Sequence, residues 1–253
     1  MTTLTVDGVD LFFEDLGEGD PVLVIHGAAA AGRWFGDLPT RIAEHTRVIL
    51  PDLRGLGRSA RVAPLERPNI WVEDLWRLLD SLELEQVDVI GCSLGSRIAG
   101  RLVLENRSRV RSLVVDAPII GISAQGNAAL AGTFGQVEED SEQAKEWRVL
   151  HGEDWREVVA FYGATRSSPG FQEYFTLRDS LDQIDVPTLI CRGDWDDNIH
   201  PVDDALIWHK KAPNTQLWIA PGLTQSSTML ERPAEFLGNV RAFHAALSRS
   251  TVT

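Results

Sequence analysis

The sequence is short of several things at once. Only two of its 253 residues are cysteine, Cys92 and Cys191. That speaks against a disulfide framework and makes a reducing cytoplasm the expected compartment, with both thiols read as small buried apolar side chains. Positive charge is scarce: 24 Lys and Arg against 37 Asp and Glu leave a net charge of −13. This balance argues against nucleic acid or an anionic membrane surface as the main partner. The first stretch, MTTLTVDGVDLFFEDLGEGD, has no basic start followed by an apolar run, so no signal peptide is expected. The most apolar run, PVLVIHGAAAAG, is far too short to span a bilayer. There is no internal repeat and no low-complexity linker. No cluster has metal-ligand spacing, so neither metal nor cofactor is expected.

What remains is an ordinary globular composition, 43% hydrophobic and 24% charged, in a chain long enough for a large buried core. Short apolar runs alternate with helical patterns. TLTV and LFFEDL read as an opening hairpin around Asp7-Gly8. PVLVIHG, TRVILPD, QVDVIGCS, VRSLVVDAP, VPTLICRGD and TQLWIAPG read as strands. Between them, Ile70, Val72, Leu75, Leu78 and Leu79 mark one helix face, and LGSRIAGRLVLEN, DDALIWHKKAP and PAEFLGNVRAFHAALS mark further helices. This alternation predicts an α/β protein with a mostly parallel sheet and helices on both faces. One interval breaks the rhythm. Residues 118–184 show no strand pattern and read as short helices, QAKEWRVL and DWREVVAFYGA among them. They hold eight of the nineteen aromatic residues. The expected architecture is a core of residues 1–117 and 185–253 with a helical cap, 118–184, whose aromatics make any pocket beneath it apolar.

The strongest chemical signal is Gly91-Cys92-Ser93-Leu94-Gly95, a G-x-S-x-G directly after a predicted strand and before a predicted helix. The turn presents Ser93 as a nucleophile and aims the Leu94 N–H at the place where a tetrahedral oxyanion forms, with the helix N-terminus adding favourable field. A second strand ends in His26-Gly27, and the small-residue loop after it offers the Ala28 N–H as the other oxyanion donor. His26 itself reads as a structural residue holding that loop.

Together these pieces resemble the α/β-hydrolase fold family in its capped, single-domain branch. HGAAAAGRW resembles the family's oxyanion loop, PDLRGLGRS its D-x-R-G-x-G-x-S turn, GCSLGS its nucleophile elbow, and LERPAEF the segment after its catalytic histidine, all in the family's order. The resemblance implies a catalytic acid in GDWDDNIHP. Counting from Gly193 gives Asp196 and counting back from Pro201 gives Asp197; the loop is one residue longer than the pattern, and Asp197 is preferred. The resemblance also implies a histidine in PGLTQSSTMLERP, and there is none. The two counts land on Gln225 and Ser226. His200, in the acid loop, reads as a residue fixing that loop, with a substitute base as the lesser alternative.

The expectation is therefore a serine esterase or lactonase acting on a hydrophobic small molecule, present as a base-deleted variant in which Gln225 replaces histidine, with a deliberate change preferred over natural loss. The alternative is a natural non-hydrolytic member of the fold, either a ligand receptor or a lyase acting on a small carboxylate. Trp34, Trp155 and Tyr162 are candidates for the substrate pocket. Arg97, four residues after Ser93, reads first as a helix residue pairing with an acid; an arginine at that spacing helps bind a carboxylate in a lyase relative, which makes it a lesser candidate for the pocket. The oligomeric state is not legible.

Overall fold

The computed structural model describes residues 2–135 and 137–250. Eight strands form one sheet: β1 (Thr2–Val6), β2 (Val9–Leu16), β3 (Pro21–Ile25), β4 (Arg47–Pro51), β5 (Val87–Cys92), β6 (Val110–Asp116), β7 (Thr188–Gly193) and β8 (Thr215–Ala220). Their spatial order is β1-β2-β4-β3-β5-β6-β7-β8. The opening hairpin pairs antiparallel, and β2 pairs antiparallel with β4. From β4 to β8 every pairing is parallel. The near-continuous apolar runs of β3, β5, β6 and β7 follow from burial on both faces.

The helices before the cap are α1 (Leu38–Ile42), α2 (Ile70–Ser81) and α3 (Leu94–Glu105). The cap insertion between β6 and β7 carries α4 (Ala124–Thr133), α5 (Glu142–His151), α6 (Trp155–Arg166) and α7 (Phe171–Tyr174). After β7 come α8 (Val202–Lys211), α9 (Thr228–Glu231) and α10 (Pro233–Ser250). One core, with Trp71, Leu75, Ile98 and Trp208, fills one sheet face; the other, with Phe35, Phe236, Val240 and Phe243, fills the opposite face. No helix among the described residues is long and apolar enough to cross a membrane.

Strand order reverses around β3, which lies between β4 and β5. In open α/β sheets such a switch point opens a crevice at the carboxyl ends of the strands. Both the Ala28 loop after β3 and the Ser93 turn after β5 lie at that edge. The loop after β4 braces them. Asp52 accepts hydrogen bonds from the amides of Gly32 and Arg58, each at 2.7 Å. Arg54 grips Asp74 of α2 with two bonds of 2.6 and 2.7 Å.

A histidine pins the cap to this brace. His151, at the end of α5, accepts the Gly57 N–H on Nδ1 at 3.0 Å and therefore donates from Nε2 to the Ala29 carbonyl, also at 3.0 Å. Both bonds require the neutral ring. Burial pulls its pKa from 6.5 down to about 4; the Ala29 carbonyl and Asp52 act against that, while His26 and Arg61 add to it. Between those two pH values the unfolded chain binds a proton that the folded chain refuses. This contribution to stability is complete above about 6.5 and is lost as the pH falls toward 4, amounting to at most about 3 kcal/mol. Urea unfolding at pH 7.5 and pH 5 is expected to show this loss, and His151→Gln, whose amide still accepts and donates, should flatten the dependence. An unchanged slope in that variant would exclude His151 as its source.

Candidate active site

Ser93 sits at φ 55°, ψ −117°, between the last residue of β5 and the first of α3. Non-glycine residues rarely occupy that region, and the strain is held by what surrounds the turn. A Cβ on Gly91 would lie 2.3 Å from the Gly95 carbonyl oxygen, and one on Gly95 would lie 2.3 Å from the Ile25 carbonyl oxygen. Both glycines are therefore required by close backbone approach. The result lifts the Ser93 hydroxyl into a cavity that Ala28 and Leu94 also line. His26 is buried and bonded on both ring nitrogens, to Gly27 O at 2.9 Å and from Leu53 N at 3.1 Å, which fixes the loop that carries Ala28.

The hydrogen-bond partner of Ser93 Oγ is His200 Nε2, at 2.9 Å. His200 Nδ1 lies 3.5 Å from Asp197 Oδ1. That carboxylate favours the proton on Nδ1, leaving Nε2 free to accept from the serine hydroxyl. Asp197 Oδ1 also accepts the backbone amides of Ile199 and His200, each at 2.7 Å. Burial pushes the Asp197 carboxyl up, but the His200 ring and the two amides outweigh it and hold it at about 2. Asp196 faces elsewhere: its Oδ1 accepts the Val202 amide at 2.8 Å, at the start of α8.

This overturns the expectation of a missing base. The histidine is present, on the loop after β7 rather than after β8, so the chain is neither base-deleted nor read as an inactive variant. The reading of His200 as a mere brace for its loop is corrected with it. Gln225 is exposed, and its amide N–H donates to Glu231 Oε2 at 3.2 Å. Ser226 is buried, and its carbonyl accepts the Gly193 amide at 2.8 Å. The turn after β8 has another organiser. Asp116, fully buried at the end of β6, accepts the hydroxyls of Ser227 and Thr228 and the amides of Thr228 and Met229. Those bonds seat the segment where the family resemblance placed a histidine.

The loop that carries His200 is organised by a residue the sequence did not flag. Arg192, in β7, is 0% exposed. Its guanidinium donates to three backbone carbonyls, those of Gly193 at 2.6 Å, His200 at 3.1 Å, and Trp195.

A profile described as alpha/beta hydrolase fold matches residues 20–147, just over half of the chain. The chain belongs to the alpha/beta hydrolase fold family. The 2-hydroxymuconate semialdehyde hydrolase of Pseudomonas sp. strain CF600 is 37% identical over 113 residues, which cover 43% of this chain and 40% of that protein. The 2-hydroxy-6-oxo-2,4-heptadienoate hydrolase of Pseudomonas putida is 28% identical over 266 residues, 94% of each chain. Among solved structures, Est816, described as an N-acyl homoserine lactone degrading enzyme, superposes with a TM-score of 0.76 at 24% identity, covering 96% of this chain and 100% of that one. That last likeness concerns the fold.

The cavity beside Ser93 holds ≈ 20 Å³, room for about one water. Arg97 and Tyr162 line it, together with Ile119, Ile122, Leu130, Ile199, Arg166 and Gln172. Trp34 and Trp155 lie outside that lining. Trp34 donates from its indole to Glu146 of α5 at 3.1 Å, and Trp155 packs with Trp147 in the cluster joining the cap to Ala30 and Ala31. Ile199 and Arg166 carried no sequence signal beyond their own types, because they share the cavity lining with Ser93 from positions about a hundred and about seventy residues away, respectively.

Proposed function

We propose that this chain is a serine hydrolase that cleaves an ester, lactone or related acyl bond in a small, largely apolar molecule. In this reading residues 118–184 act as the cap over the pocket, and 1–117 with 185–253 as the hydrolase core. One observation carries it: the 2.9 Å contact between Ser93 Oγ and His200 Nε2.

His200 takes the Ser93 proton as Oγ attacks the acyl carbon, and the developing oxyanion is met by the amides of Ala28 and Leu94. Asp197 holds the ring in the useful tautomer and stabilises the imidazolium that forms. His200 then gives that proton to the leaving oxygen. In the second half it draws a proton from water, hydroxide oxygen attacks the acyl-serine, and Ser93 is released as the hydroxyl. The names of two relatives, both hydrolases, support this reaction class. The isoleucines and Leu130 in the lining support an apolar acyl chain.

A fluorophosphonate tests the nucleophile directly. Mass spectrometry is expected to place the adduct on Ser93, with Ser93→Ala unlabelled. An adduct elsewhere with Ser93 untouched would remove the assignment.

A further inference from the structure

We propose that His151, at the end of the cap helix α5, is a positioning residue for the oxyanion hole: its bond to the Ala29 carbonyl aims the Ala28 amide, so that the hole is complete only while the cap is seated. This rests on the hydrolase reading above, which gives the Ala28 amide its role.

An amide is aimed by fixing the peptide planes around it. The Ala28 N–H shares a plane with the Gly27 carbonyl and, in a trans peptide, points the opposite way. His26 accepts the Leu53 amide on Nε2 and so donates from Nδ1 to that carbonyl, at 2.9 Å. Immediately after Ala28 the chain turns sharply. Ala29 is buried and held at φ 45°, in the left-handed region that alanine rarely enters. Such a conformer persists where its surroundings hold it. The Ala29 carbonyl accepts from His151 Nε2 at 3.0 Å. Two neutral histidines thus grip the carbonyls of the residues on either side of Ala28. One is mounted on the core just after β3, the other on the cap.

The rest of the loop is fastened to the same helix. Arg33 donates to the Val149 carbonyl at 2.8 Å, and Trp34 donates to Glu146 at 3.1 Å. Ala30 and Ala31 join Trp147 and Leu150 in one apolar cluster. Trp147, Leu150 and His151 recur at three- and four-residue spacing, which puts them on one face of α5. Residues 29–34 therefore take their seat from the cap. The other oxyanion donor does not. The Leu94 amide opens α3 directly after the Ser93 turn, where the close backbone contacts of Gly91 and Gly95 fix it within the core. Ser93 and His200 hang from β5 and β7. Displacing the cap then takes away one donor and leaves the nucleophile and its base paired.

His151→Asn and His151→Gln separate this role from simple attachment of the cap. Asparagine places its oxygen where Nδ1 stands, keeping the Gly57 bond and losing the Ala29 bond. Glutamine places its amide nitrogen where Nε2 stands and keeps the Ala29 bond. Each gives up one bond of the two, so a loss of stability alone would fall on both alike. His151→Asn is expected to lower kcat on p-nitrophenyl acetate by at least about tenfold with KM little changed, a fraction of the roughly 10²–10³ lost when an oxyanion donor is removed outright. His151→Gln should stay within about threefold of the native chain. Phenylboronic acid reads the hole without turnover: Ser93 Oγ adds to the boron, the hydroxyl proton passes to His200, and one boron-bound oxygen lies between the two amides. Its dissociation constant, measured by calorimetry, should rise in His151→Asn in step with the fall in kcat. Glu146→Ala, at an exposed position, frees Trp34 from the same helix with the fold intact and is expected to lower kcat about threefold. An unaltered kcat in His151→Asn, or in Glu146→Ala should His151→Asn not fold, overturns the positioning role and leaves the hydrolase standing. Equal losses in His151→Asn and His151→Gln do the same. Absent turnover and absent fluorophosphonate labelling of Ser93 in the native chain would remove the hydrolase and this role with it.

Discussion

His200→Ala is expected to lower turnover of a simple aryl ester by at least about a hundredfold, within the roughly 10²–10⁴ that a positioned general base contributes. Without the imidazole the Ser93 hydroxyl is a poor nucleophile, while the Ala28 and Leu94 amides and the apolar walls are untouched. The loss should therefore fall on kcat, with KM little changed. Groups that act as one unit are not additive, so Ser93→Ala combined with His200→Ala should cost scarcely more than either alone. Gln225→His should bring no gain. Gln225 is exposed, and its turn is held by Glu231 and Asp116 rather than aimed at the elbow. Steady-state kinetics on the four variants decides the matter. A hundredfold gain in Gln225→His with full turnover retained in His200→Ala would return the base to the loop after β8.

The second large effect is expected at the acid. Asp197→Asn should cost roughly 10²–10⁴ in kcat, because the amide oxygen that the Ile199 and His200 N–H groups keep facing Nδ1 carries no negative charge to stabilise the imidazolium that forms. The carboxylate sits at about 2 on the pKa scale, so it is ionised throughout the range in which a histidine base works. Asp196→Asn should cost less than about threefold, since an amide oxygen still accepts the Val202 amide. A pH–rate profile adds a check that folding alone does not move: the base limb should shift in Asp197→Asn and stay in Asp196→Asn. A larger loss at Asp196 would transfer the role.

The sheet was readable in advance because buried parallel strands leave apolar runs and the helices between them leave a 3.6-residue period. The Ser93 elbow was readable for a different reason. Its two glycines are imposed by backbone contacts of 2.3 Å, and such constraints write themselves into a local motif. His200 was legible as a residue and misread as a role. The family's place for a base, after β8, holds Gln225 and Ser226 here. The sign that something had moved was the single extra residue in GDWDDNIHP, which the two counts to Asp196 and Asp197 exposed. Arg192 and Arg166 could not have been singled out. Each matters for where its guanidinium points, and nothing in a lone arginine within TLICRG or YGATR encodes that.

His200 and Asp197 stand three residues apart on one loop, and Arg192 ties that loop to β7 through three carbonyls. The proton acceptor and its partner thus travel as a single piece. Thermal motion can spoil only one relation, the seating of that piece against the elbow, where two separately mounted groups would have to be kept in register with each other as well. The arrangement also divides labour between neighbouring loops. The segment after β8 takes its shape from Asp116 and Glu231 and meets the loop after β7 where the Ser226 carbonyl accepts the Gly193 amide. The loop after β7 carries both groups of the proposed proton transfer, so one short deletion there removes His200 and Asp197 together.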